Sequence, residues 1–184
     1  MQGPEWHTAN APSPLWTEFV AALRQPEYVH VLLHPLPIYG LVAGVFSLVV
    51  ALVARSRGGQ AIALAVMLLT AASAWLVAHF GHAGYDRVYA MSNDAAQKWL
   101  NWHEYLADRV VWAYYATAAL SAATLIGLWK SPRLHRPALV LSLVAAVAAL
   151  SLGGFLSFVG GKIRHSEFRD GDPPAWAHTT ADQD

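Results

Sequence analysis

With 184 residues, zero formal net charge and only 13% Asp, Glu, Lys and Arg, the chain carries about half the charge of a typical soluble domain, which holds roughly 25%. Zero net charge leaves no basic field to recruit nucleic acid. The absence of cysteine excludes disulfides, cysteine-ligated iron–sulfur clusters, a covalently attached c-type haem and a thiol nucleophile.

Residues 1–27 hold Pro4, Pro12, Pro14 and Pro26 and lack the basic and apolar regions of a cleavable signal, so none is expected. Ser13-Pro14 reads as a helix start. Trp16, Phe19, Val20 and Leu23 then share one face, which predicts a short interfacial helix from Ser13 to Arg24. Four stretches without Asp, Glu, Lys or Arg follow: Tyr28 to Ala54, Gly58 to Tyr85, Val110 to Trp129 and Pro137 to Gly161. Each can cross a ~30 Å hydrocarbon core, which takes about 20 apolar residues as a helix. A lipid-embedded backbone must satisfy its own hydrogen bonds, and continuous runs of this length do so as helices. The sequence therefore predicts an all-α, integral membrane four-helix bundle over residues 28–169. An outer N-terminal tail (1–27) precedes it, and an extended or disordered outer tail (170–184) follows.

The first connection carries Arg55 and Arg57, the third Lys130, Arg133 and Arg136, and neither holds an acid. Short basic loops stay cytoplasmic, which puts both termini on the outer, periplasmic face of a bacterial inner membrane. A reporter fused after Asp184 should thus be active only outside the cytoplasm; activity inside would overturn the orientation. In the middle connection, Asn93-Asp94 followed by Gln97 is an N-cap signal. Trp99, His103, Leu106, Val110 and Ala113 recur at helical spacing, predicting one helix from Asp94 to Trp129. The fourth span is expected to run on to Phe168.

Six of the nine histidines gather toward the acidic end. His34 lies 21 positions from Arg55 and His79 lies 19 from Gln60. At ~1.5 Å per residue both reach the outer hydrocarbon boundary, with His82 beside them. His103 and His165 sit roughly 5–10 Å higher. His103 shares its face with Leu106 and Val110 and should point inward. His165 shares a helical face with Gly161, Phe158 and Gly154. Gly153, Gly154, Gly160 and Gly161 beneath it either leave room for a flat macrocycle or permit close helix packing. His30 and His34 are spaced i, i+4, but Pro35 disfavours a helical His34, so a helix start is expected there. His7, His135 and His178 read as surface residues.

Haem b suits this set, since its iron takes two axial imidazoles. The candidate iron ligands are His34, His79, His103 and His165, with His82 also near the cofactor. Diagonal helices could pair His34 with His103 or His79 with His165, with His82 and His30 in reserve. Arg109 and Arg164, along with Arg87, Lys162 and Arg169, occupy the rim where propionates would emerge. Zinc or copper could also use several histidines, though His103-Glu104 lacks the second histidine of a hydrolytic zinc helix. There is no nucleophile–base arrangement, and Arg57-Gly58-Gly59 is too short to cradle a phosphate.

The segment His34-Pro35-Leu36-Pro37-Ile38-Tyr39-Gly40, His103 before the third span, and Gly160-Gly161-Lys162-Ile163-Arg164-His165 resemble a group of bacterial four-span proteins of unknown function. Members open the first span with His-Pro and close the last with Gly-Gly…His. They also carry a second histidine before the next Pro, where this chain has Leu36. The resemblance implies a four-helix bundle in an electron-transfer setting. Three readings stay open. One is a haem b subunit passing electrons between the quinone pool and a periplasmic redox protein such as a c-type cytochrome. The second is a cofactor-free anchor or assembly subunit of a membrane complex. The third is a metal-handling or proton-relaying protein, against which stands the lack of charged groups at mid-span. Trp99, Trp102 and Trp176 mark the expected outer contact surface.

Overall fold

The structure, a computed structural model, describes residues 14–130 and 132–175. Trp176, His178 and His7 lie outside them. The described residues form helices and connections, with no strand among them. Four stretches are long and apolar enough to cross a membrane: Pro26–Val53, Arg57–Ala90, Asp94–Lys130 and His135–Arg164. The chain is thus an all-α, multi-pass membrane bundle. A short helix, α1 (Leu15–Ala22), precedes the spans.

The first span is built from α2 (Pro26–Leu33) and α3 (Pro35–Val53). Here an expectation holds only in part. His34 keeps helical angles (φ −57°, ψ −28°), and its amide donates to the His30 carbonyl at 2.9 Å. Helix α3 does start at Pro35 with His34 as its N-cap residue, but His34 does not leave the helical region, because lipid penalises an unsatisfied backbone more than proline penalises the residue before it. The i, i+4 relation survives, and the His30 and His34 rings stack 6.5 Å apart.

The second span divides into α4 (Arg57–Ala72) and α5 (Ala74–Ala90). Ser56 caps α4, its Oγ accepting from the Gly59 amide at 3.1 Å. At the division, the Ser73 hydroxyl donates to the Thr70 carbonyl at 2.6 Å, and Thr70 donates to Val66 at 2.8 Å. Such back-bonding competes with the helix ladder and bends it. The third span, α6, runs Asp94–Lys130 as expected. The Asn93 side chain accepts from the Ala96 amide at 2.9 Å, and Gln97 donates back to the Tyr89 and Ser92 carbonyls that end α5.

The fourth span, α7 (Pro132–Arg164), stops short of the expected Phe168. His165 is extended, and a single 3-10 turn covers Ser166–Phe168. Arg169 folds back to donate to the Lys162 and Ile163 carbonyls at 2.6 and 2.7 Å. Its side chain satisfies the helix-end carbonyls that another turn would have used.

Helix α3 packs on α4 and α7, and α6 packs on α4 and α7. The spans therefore form a ring in chain order, with the first diagonal to the third. Toward the histidine end α2 packs on α5, and α5 on α6. Lipid is as apolar as leucine, so close approach of backbones substitutes for a hydrophobic drive. A side chain at Gly44 would fall 2.6 Å from Met67, and Gly40 is filled by Thr70. Leu41, Leu48, Leu64, Met67 and Leu139 complete a core with no exposure, while Phe46, Ile62 and Leu69 face outward as a lipid-contacting surface should. One polar link crosses this core: Thr124 and Ser142 share a hydroxyl hydrogen bond at 2.8 Å between α6 and α7.

Candidate functional site

Every candidate imidazole lies at one end of the bundle, but most turn outward. His34 is exposed, its Nδ1 donating to the Val31 carbonyl at 3.0 Å. His79 is exposed, stacked on Trp75 at 5.5 Å and edge-on to Phe80 at 5.2 Å. His82 is exposed and bonded through Nε2 to Asp108 at 2.9 Å. His165, beyond the end of α7, points its Nδ1 at Glu167 at 3.0 Å and lies against Phe168. The Glu167 carboxyl is held below its ordinary range, first by its own backbone amide and then by His165. Leaving α7 frees His165 from the helical face that would have aimed it inward. His79 and His165 thus both lie at the exposed outside of the described bundle.

Two imidazoles turn inward. His103 is half-buried, as its share of the Val110 face requires, and lies against Gly160. The Leu156 carbonyl and the His30 and His34 rings are among its neighbours. Its Nδ1 is buried without a hydrogen-bond partner. His30, the reserve candidate, is also half-buried, with Nδ1 2.9 Å from the Val77 carbonyl. A carbonyl only accepts, so Nδ1 carries the proton and Nε2 keeps its lone pair. A Cβ at Gly81 would fall 3.0 Å from His30 Nδ1, and one at Gly160 would fall 3.0 Å from His103 Cε1. Each inward ring therefore rests on a glycine of a neighbouring helix.

The glycines of α7 are not a vacant slot. Gly153 receives Tyr114 and Gly160 receives His103, while Gly154 faces open space. Close packing of α6 on α7 explains them. The rim cations are also partly engaged. Arg87 pairs with Glu27 at 3.0 Å, Lys162 is buried over the rings of Trp99 and Phe158, and Arg169 caps α7. Arg109 lies 3.3 Å over the Tyr105 ring and donates to its carbonyl at 2.8 Å. Arg164 is exposed beside a cleft of about 200 Å³ lined by Met91, Asn93, Ala96 and Arg169. Trp99 leaves the expected contact surface, being only 7% exposed beneath Lys162. His135, at the opposite end, is half-buried with an unpartnered Nδ1, not a free surface residue.

Among the described residues, no three His, Cys, Asp or Glu side chains converge to hold a metal ion. Fold and site define a four-span membrane protein with two inward imidazoles at one end. Comparison with family models, curated proteins and solved structures returns no match, so the sequence resemblance is supported only at the level of the four spans.

Proposed function

We propose that this chain is a b-type haem-binding subunit of a bacterial inner-membrane complex. In this reading it transfers electrons between the quinone pool and an outer-face redox protein such as a c-type cytochrome. One observation carries the reading. In a bundle with no charged side chain at mid-span, His30 and His103 turn inward at the same end from diagonal spans.

The residues fit such a group. Protein ligands to iron hold their imidazoles through the second ring nitrogen, as the Val77 carbonyl holds His30. The unpartnered Nδ1 of His103 leaves a buried polar atom at a cost of about 1–3 kcal/mol, which a ligand bound at that nitrogen would offset. Gly81 and Gly160 seat the two imidazoles themselves, and a side chain at either would displace its ring. His30 and His103 would then hold the iron, with Arg109 and Arg164 nearest the role of propionate partners. When bound, haem supplies one-electron transfer. The protein's own part is to fix both imidazoles, restrict water and present the site at the outer face. The basic loops support that orientation.

A second reading, a cofactor-free anchor within a larger complex, draws support from the outward placement of His34, His79, His82 and His165. Pyridine extraction separates the two. Protein produced with ample haem should release non-covalent haem at near-stoichiometric yield, since no cysteine can attach it. Protein that yields none favours the anchor.

A further inference from the structure

On its lipid-facing side, the bundle carries a second group of polar and aromatic side chains that the inward imidazoles do not use. Between α5 and α6 runs a groove of about 470 Å³, lined by Trp75, His79, His82, Asp108, Trp112 and Tyr115. The two helices are antiparallel, so His82 and Asp108 close its outer end, while Trp75 and Tyr115 close its deep end. Seven residues separate these levels on each helix, about 10 Å along the axis. Polar and apolar character thus divide along its length.

The outer end is a hydrogen-bonded pair. His82 Nε2 lies 2.9 Å from Asp108 Oδ1, with both side chains about half exposed. The carboxylate accepts, so His82 donates from Nε2, while Nδ1 accepts when the ring is neutral and donates when it is protonated. A carboxylate beside the hydrocarbon boundary is costly unless paired, so this one marks a place where polar chemistry is wanted. Deeper, the walls are flat rings: Trp75 is 57% exposed and Trp112 is 68% exposed, and His79 lies stacked on Trp75.

We propose that this groove binds the headgroup of a membrane quinol or quinone, and the inference rests on the electron-transfer reading for the ligand's class. A quinol ring matches the division of the groove. A quinol hydroxyl donates to His82 Nδ1 of the neutral ring, a quinone carbonyl accepts from it when the ring is protonated, the flat face lies on the indoles, and the isoprenoid tail leaves through the open side into lipid. A phospholipid acyl chain would cover the rings but leave the His82–Asp108 pair without a partner.

Quenching of tryptophan fluorescence in the detergent-purified, full-length protein by a short-chain ubiquinone tests the proposal with or without haem. Saturable quenching is expected. Trp112→Phe should cut its amplitude, and His82→Ala or Asp108→Asn should weaken apparent affinity by up to about tenfold, the upper end of what losing one hydrogen bond costs. Unchanged helicity and thermal unfolding would show that these variants fold. Quenching that never saturates, or that is equal in all variants, overturns the proposal. So does loss of saturation on adding excess dioleoylphosphatidylcholine, which would make the groove a lipid site. Saturable quenching in haem-free protein would uphold the groove while the electron-transfer reading fell, so the two fail separately.

Discussion

His103→Ala should strip the protein of haem. Replacing even an outer-shell partner of a metal ligand costs roughly 10–100-fold in affinity, and loss of an axial imidazole should cost at least that. His30→Ala should match it. Removing that ring also releases the Val77 carbonyl from its 2.9 Å hydrogen bond, so its helicity must be checked by circular dichroism. His34, His79 and His165 are exposed and bonded elsewhere, so alanine at each should leave haem content within about twofold, the change expected of a residue that makes no bond to the metal. Haem content per chain, measured after size exclusion, decides the matter. Retention in the His103 and His30 variants, or loss in the His79 variant, would move the site to the outer surface.

Gly84→Ala should destabilise the bundle strongly. Its Cβ would fall 2.8 Å from the Glu27 amide nitrogen and 2.9 Å from Glu27 Cα, both backbone atoms that no rotamer change can move. Overpacking of this kind costs about 1–3 kcal/mol. At ~2–4 °C per kcal/mol for a chain of this size, unfolding in detergent should fall by several degrees. The cost reaches the site as well. Forcing α2 from α5 shifts His30, one turn beyond Glu27, off its Val77 contact, so haem should weaken together with stability. Gly154→Ala is the matched control. Nothing lies within 4 Å of that position, and alanine in an open helix gains roughly 0.5–1 kcal/mol over glycine. Equal melting temperatures for the two variants would contradict the packing described.

The spans and their order were legible because hydropathy and charge directly report the solvent around a helix. Orientation of individual histidines was not. In a span apolar on every side, no polar face betrays which direction is inward. His34 and His79 look like candidates by height alone, yet both face outward. The signal that would have separated them is the small residue opposite: Gly81 beneath His30 and Gly160 beneath His103. The proline rule found the start of α3 at Pro35, but its steric push toward extended angles lost at His34 to the backbone hydrogen bond that a lipid-embedded chain must keep. The bend at Ser73 was written in Thr70 and Ser73, whose hydroxyls bond backwards along the chain. His165 left its helix because Arg169 supplies the capping hydrogen bonds, a contact that no periodicity reveals.

The optical spectrum of the purified protein, recorded before and after dithionite, tests the central claim most directly. Two axial imidazoles give reduced haem b a sharp α-band, which should appear in the wild type, disappear in His103→Ala and persist in His79→Ala. A wild-type protein that stays colourless under dithionite despite ample haem during production would contradict the account.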